Sequence, residues 1–320
     1  MNSMRPRRLA ATQQRPERGT VVLIRVLLGF ESVLYSVVTP LLPHYAHQFG
    51  ASKPAIGVLA AAYPAGMLPG SLLGGWVATR GGVRRTTVFG LVLFTASIAA
   101  FGYASDLAVL DGLRFVQGIA CGYIWSGGLA WVIAIAPRNR RGAVLGSVLA
   151  SAIFGTLLGP AVGTLAVAAG TGIVFAAVGV VSLALTVWAM RHPEPPAAAL
   201  GARSSPRALA ASRPFVLGFW LILLVACTFG ATGTLLPLRL AHFGASGVAI
   251  GVTFILASLL STLLAPGIGR FTDRRGNALP LIVGLGATAV LLALLPLPAA
   301  ALPLAVLTVV ALGGPTTAQA

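Results

Sequence analysis

Apolar runs of about 20 residues recur along the whole chain, each long enough to cross a hydrocarbon core roughly 30 Å thick. Hydropathy places them near 21–43, 56–78, 86–104, 108–136, 142–169, 172–190, 215–236, 250–268, 279–297 and 302 to the end. Inside a bilayer no water is available to backbone N–H and C=O groups, so a segment that crosses must satisfy them itself, as a helix does. Only 9% of the residues are charged, where a soluble domain carries roughly a quarter, and the mean hydropathy is +0.92. The expected class is an all-α polytopic membrane protein with about ten transmembrane helices.

The net charge of +16 would suggest nucleic acid on a soluble chain. Its distribution points elsewhere. With the N-terminus taken as cytoplasmic, 18 of the 22 Lys and Arg fall in the N-terminal tail and alternate loops. Lys53 and Arg239 lie on the opposite side, and Arg25 and Arg114 lie inside spans. This is the positive-inside asymmetry, so the basic charge reports topology and no nucleic-acid partner is expected. The predicted location is the cell membrane, multi-pass. The long, uncleaved hydrophobic stretch after the basic tail reads as a first span and not as a secretory signal.

Internal repetition organises the chain. Shifting it by 194 residues lays Leu41–Val58 on Leu235–Val252 without a gap, with 11 of 18 pairs identical. The phrase LLPHYAHQFGAS at residues 41–52 returns as LLPLRLAHFGAS at 235–246. Its proline is expected to end the first helix of each half at the outer face, with FGAS supplying the turn. The same offset carries Gly75, Arg80 and Gly82 onto Gly269, Arg274 and Gly276. Two parallel halves follow: a basic tail over 1–20, a six-helix bundle over 21–190, a Pro-, Ala- and Ser-rich linker over 191–214, and a second bundle over 215–320. The offset maps Ala136, the end of the fourth span, to position 330, past Ala320. The second bundle is therefore expected to hold four helices with the last cut short, which leaves a fragment, a truncated reading frame or a need for a partner all open.

Several short patterns stand out in the spans and loops. Gly74–Thr86 (GGWVATRGGVRRT) and Gly267–Asn277 (GIGRFTDRRGN) each join a helix end, a glycine turn and an arginine cluster. Arg84 belongs to the first, and Asp273 stands in the second where Thr79 stands in the first. In the fourth span, LDGLRFVQGIACG (110–122) places Arg114 several residues inside the outer end, with Gln117 one turn on and Asp111 one turn back. An arginine is costly at that depth and needs a partner or a function. Outward snorkelling or pairing with Asp111 is the structural alternative. In the fifth span, Gly155, Gly159 and Gly163 recur every four residues and form one smooth face for another helix, with Pro160 bending the helix there.

Glu31 lies near the middle of the first span, with Arg25 six residues away and Tyr35 one turn on. A carboxyl isolated at that depth takes up a proton unless water or a cation reaches it. Glu31 is accordingly a candidate proton carrier or anchor for a cationic substrate, with Tyr35 beside it; a carboxyl hydrogen-bonded to a neighbouring helix is the alternative. Arg25 is expected to snorkel to the inner interface. The five tryptophans read as interface anchors or cavity wall, and Cys121 and Cys227 as packing residues. With no cluster of nucleophile, base or metal ligands, neither an enzyme nor a metal or other cofactor is expected.

Together these patterns resemble the major facilitator superfamily. The paired glycine–arginine loops are similar to its loop signature, R-x-x-Q-G at Arg114–Gly118 to a motif tied to proton coupling, and G-x-x-x-G-P-x-x-G at Gly155–Gly163 to the antiporter signature of its twelve-span drug:proton branch. The resemblance runs from about residue 20 to the end. Thr79 departs from the acid usual in the first loop, and Thr164 from a final glycine. It implies proton-coupled efflux of a small molecule by alternating access, from a monomer in the lipid bilayer, with the substrate unread. Proton-coupled uptake by a sugar-type carrier, or a non-transporting product, are the alternatives.

Overall fold

The computed structural model describes residues 5–137 and 140–196, and beyond them 212, 213, 216–220, 223, 256, 282–284 and 286. The chain divides into two units, Met1–Gly201 and Ala202–Ala320. The second half of the internal repeat, including Gly269, Asp273, Arg274 and Gly276, lies outside the described residues.

The first unit holds α1 (Arg5–Ser36), α2 (Leu41–Gln48), α3 (Lys53–Gly81), α4 (Val83–Phe101), α5 (Leu107–Ile135), α6 (Arg141–Ala169) and α7 (Thr171–Met190). Six stretches within them are long and apolar enough to cross a membrane: Gly19–Ser36, Pro54–Gly81, Val83–Phe101, Leu107–Ile135, Arg141–Ala169 and Thr171–Met190. The all-α, polytopic class expected from hydropathy is the one observed.

The outer end of the first span differs from expectation. The helix stops at Ser36, and the Leu-Leu-Pro phrase begins α2 instead of ending α1. Pro40 is the N-cap of α2, and Pro43 sits in its first turn, where a backbone N–H would have no intrahelical partner and a proline costs nothing. Tyr45 fixes this short helix by packing on Phe49 and Phe101, at 5.9 and 6.1 Å between ring centroids. Burial pushes its hydroxyl up to about 12, with Arg114 opposing. The reversal then uses Gly50 at φ +58° and Ser52, whose side chain caps α3 by accepting from the Ala55 N–H.

Lipid tails are as apolar as leucine, so helix association in a bilayer rests on close packing and on hydrogen bonds between helices. Two parallel pairs are built on missing side chains. On α3, Gly66, Gly70 and Gly74 meet Phe115, Ile119 and Tyr123 of α5, while Gly118 and Gly122 of α5 meet Tyr63 and Gly70 in return. A Cβ at any of these five would run into backbone atoms of the other helix. On α1 and α6, Gly29 faces Ser151, and Gly155, Gly159 and Gly163 face Gly29, Val33 with Ser36, and Val37. α4 packs on both α5 and α7, and its Thr95 is hydrogen-bonded to Ser182 of α7 at 2.7 Å.

Pro160 explains one of these contacts. A proline in a helix interior leaves the carbonyl four residues back without its donor, here that of Thr156. The Ser36 hydroxyl of α1 donates to this carbonyl at 2.8 Å. The α1–α6 seam thus repairs the backbone that Pro160 interrupts.

At the other end of the bundle, α4 and α7 cap each other. The N-cap of α4 is Gly82, which offers no side chain; the Arg84 N–H donates instead to Glu194 Oε1 at 3.1 Å. Arg84 Nη1 in turn donates to the carbonyls of Met190 and His192, at 3.1 and 3.2 Å, where α7 ends. The guanidinium and carboxylate also pair, at 3.6 Å. Gly82 is required by its φ of +96°, which L side chains rarely adopt; a Cβ there would also displace the end of the Glu194 side chain, 2.6 Å away.

Four outcomes follow for thermal unfolding of the purified protein. Gly74→Val should destabilise by about 1–3 kcal/mol, as overpacking does, because Tyr123 Cα lies 2.9 Å from the new Cβ. Gly75→Ala, one position on and facing open space, should be neutral or stabilise by up to about 1 kcal/mol. Ser36→Ala should cost about 1–3 kcal/mol by stranding the Thr156 carbonyl. Glu194→Ala should cost about 1 kcal/mol through the lost helix cap, and proteolysis should cut the chain after α7 faster.

Candidate functional site

Glu31 is the natural starting point, because a carboxylate on a membrane helix must find donors or lose its charge. It is 2% exposed. The Tyr63 hydroxyl of α3 donates to Oε1, and Trp125 Nε1 of α5 donates to Oε2 at 2.6 Å. Both oxygens are therefore satisfied from neighbouring helices, and the isolated carboxyl expected from the sequence is not what the fold builds. The Cys121 thiol of α5, also buried, borders Tyr63 and Glu31.

Arg114 lies directly above this pair and is 2% exposed. Its Cζ stands 4.4 Å from the centre of the Tyr63 ring, within the range of a cation–π contact. Nη1 donates to the Leu34 carbonyl at 3.3 Å and to Gln117 Oε1 at 3.0 Å, and Nη2 donates to the Tyr35 carbonyl at 3.2 Å. Gln117 in turn donates to the Ser97 carbonyl of α4 at 3.4 Å. The arginine thus neither snorkels nor pairs with Asp111. Asp111 keeps a buried Oδ1 with no hydrogen-bond partner, and the one ion pair among the described residues is Arg84–Glu194.

Backbone contacts decide why these side chains meet. Gly118, the last residue of R-x-x-Q-G, lets the Tyr63 carbonyl approach α5. This seats the Tyr63 ring beneath the arginine four residues earlier and sends its hydroxyl across to α1. On the far side of α1, the Gly155, Gly159 and Gly163 face of α6 presses the backbone from Gly29 to Val37, which brackets Glu31.

Other candidate residues sit apart. Tyr35 is 48% exposed and meets the Tyr63 ring edge-on at 5.4 Å; its carbonyl, not its hydroxyl, serves Arg114. Arg25 does not snorkel freely: its Nε donates to Ser147 Oγ of α6 at 2.9 Å. Arg80 lies over the Trp76 ring at 4.2 Å, and Thr79 donates to the Trp76 carbonyl at 2.9 Å. Gly75, Arg80, Gly82 and Arg84 therefore gather at the α3–α4 turn, away from Glu31. Among the described residues no three His, Cys, Asp or Glu side chains are placed to hold a metal ion.

Sequence reasoning missed Tyr63 altogether and read Trp125 as an anchor or wall residue. No local pattern announces either, since both matter only through contact with another helix. The four-residue spacing of Gly66, Gly70 and Gly74 was a usable signal for the α3–α5 seam.

Known proteins extend this picture. The chain is similar to the quinolone resistance protein NorA of Staphylococcus aureus (strain Mu50 / ATCC 700699), 27% identical over 143 residues that cover 45% of this chain and 36% of that protein. It is also similar to the MFS-type transporter ppzB of Metarhizium majus, 29% identical over 146 residues, covering 41% of this chain and 30% of that protein. It thus aligns with about a third of the length of each relative. The family model of the Major Facilitator Superfamily matches residues 26–319, taking in the buried Glu31, the Arg114 motif and the glycine seams alike. The chain is a multi-pass membrane protein that belongs to the Major Facilitator Superfamily.

Proposed function

We propose that this chain acts in proton-coupled efflux of a small molecule, by alternating access, from the plasma membrane with its N-terminus in the cytoplasm. The observation that supports this most is a single buried carboxylate on the first span, held by two neutral donors and overlain by a buried arginine. Such a group can give up or take a proton without breaking an ion pair, because Tyr63 can turn its hydroxyl from donor to acceptor. Glu31 exchanges the proton, Arg114 provides the local positive field, and the α1–α6 glycine seam is the packing hinge beside the exchanging group. Residues 21–190 form the N-terminal bundle of the transporter, 191–214 its linker, and 215–320 belong to the second bundle.

The direction of transport rests on similarity to NorA, a quinolone resistance protein, and on the G-x-x-x-G-P-x-x-G pattern of α6. The substrate class we assign is therefore amphiphilic and drug-like.

In liposomes containing the purified protein, an imposed pH gradient should drive uptake of a quinolone when the face that is cytoplasmic in the cell is outermost. Glu31→Gln should abolish the gradient dependence and leave the unfolding temperature within a few degrees of the parent. Unchanged gradient-driven uptake in Glu31→Gln would remove Glu31 from the proton path.

A further inference from the structure

The arginine motif of α5 and the carboxylate of α1 do not touch, yet one residue of α3 contacts both. Tyr63 is 1% exposed. Its hydroxyl donates to Glu31 Oε1, its ring supports the Arg114 guanidinium at 4.4 Å, and its carbonyl rests where a Cβ of Gly118 would otherwise be. Gln117 and the Leu34 and Tyr35 carbonyls hold the guanidinium above the ring, while Arg114 Nε is buried with no acceptor. Among the described residues, the aromatic face of Tyr63 lies beneath a cation that is clamped at its edges by these acceptors.

We propose that Tyr63 is the positioning residue through which the Arg114 motif acts on Glu31: its hydroxyl stabilises the charged carboxylate, and its ring holds the arginine's charge next to it. This rests on the reading of Glu31 as the proton-exchanging group. When Glu31 loses its proton to water, the Tyr63 O–H donates to the resulting carboxylate; when Glu31 is protonated, its own O–H can donate to the Tyr63 oxygen. No proton leaves Tyr63 in either state. A hydrogen bond to the charged form of an acid favours that form, so removing the donor makes the acid hold its proton to higher pH.

Among the described residues, few groups compete. α3 presents Tyr63, and α5 presents Trp125, Cys121 and Arg114. α6 faces this stretch of α1 with glycines, Ser151 and Thr156, none of which titrates. Just beyond α7, His192 lies against Gly19, twelve residues and so roughly 18 Å along α1 from Glu31. The sequence contains just 6 Asp and Glu, which makes a single carboxyl resolvable by infrared difference spectroscopy.

The experiment is a pH titration of the carboxyl C=O stretch in the protein reconstituted in lipid vesicles, with the Glu31 band identified as the one absent from Glu31→Gln. In Tyr63→Phe, which keeps the ring, the pH at half-loss of that band should rise by about one unit, the size expected for one hydrogen bond to a charged group. In Tyr63→Leu, which removes donor and ring, it should rise further, because Arg114 loses its seat. An unmoved midpoint in Tyr63→Phe, with the band still absent from Glu31→Gln, overturns the role given to Tyr63 and leaves Glu31 as the proton site. Absence of any titrating band attributable to Glu31 overturns the proton-site reading itself, and the Tyr63 role with it. Tyr63→Phe alone decides the matter should Tyr63→Leu not fold.

Discussion

Backbone-to-backbone contact through glycine is the constraint on which the rest of the molecule depends. In water, burying apolar side chains drives helices together; between lipid tails that force is absent. Here Gly66, Gly70 and Gly74 of α3 against Gly118 and Gly122 of α5, and Gly29 of α1 against Gly155, Gly159 and Gly163 of α6, bring helix axes close enough for backbones to touch. Every polar contact at the candidate site is set at the distance these seams allow.

Polar groups in the bundle are satisfied in the same economical way. Pro160 frees the Thr156 carbonyl and Ser36 supplies its donor. Gly82 gives α4 no cap and Glu194 reaches in from beyond α7, while Arg84 covers the carbonyls at the end of α7. Glu31 receives two donors from two helices. In each case a group left open by one helix is met by another segment; inside the apolar spans an orphaned group costs several kcal/mol. Asp111 Oδ1, Arg114 Nε and Trp131 Nε1, each buried without a hydrogen-bond partner, stand out against that pattern.

The two ends of the bundle have different characters. The α3–α4 turn, with Arg80, Gly82 and Arg84, is an assembly of caps that binds α4 to the segment after α7. The centre, around Glu31, gathers two neutral donors, Tyr63 and Trp125, with one cation, Arg114, over the Tyr63 ring.

Much of this was readable from the chain alone. The membrane class, six of the spans and the residues worth watching, Glu31 and Arg114 above all, followed from residue types placed where lipid makes them expensive. The glycine spacing at Gly155, Gly159 and Gly163 announced a close-packed face because a helix repeats nearly every four residues. Tertiary structure alone decided which helix met that face, that Leu41–Leu42–Pro43 opens α2 instead of closing α1, and that Glu31 is paired by Tyr63 and Trp125. The reason is physical: helical period and depth are local properties of sequence, whereas a hydrogen bond between α1, α3 and α5 depends on how three separate helices approach, and no residue encodes that by itself.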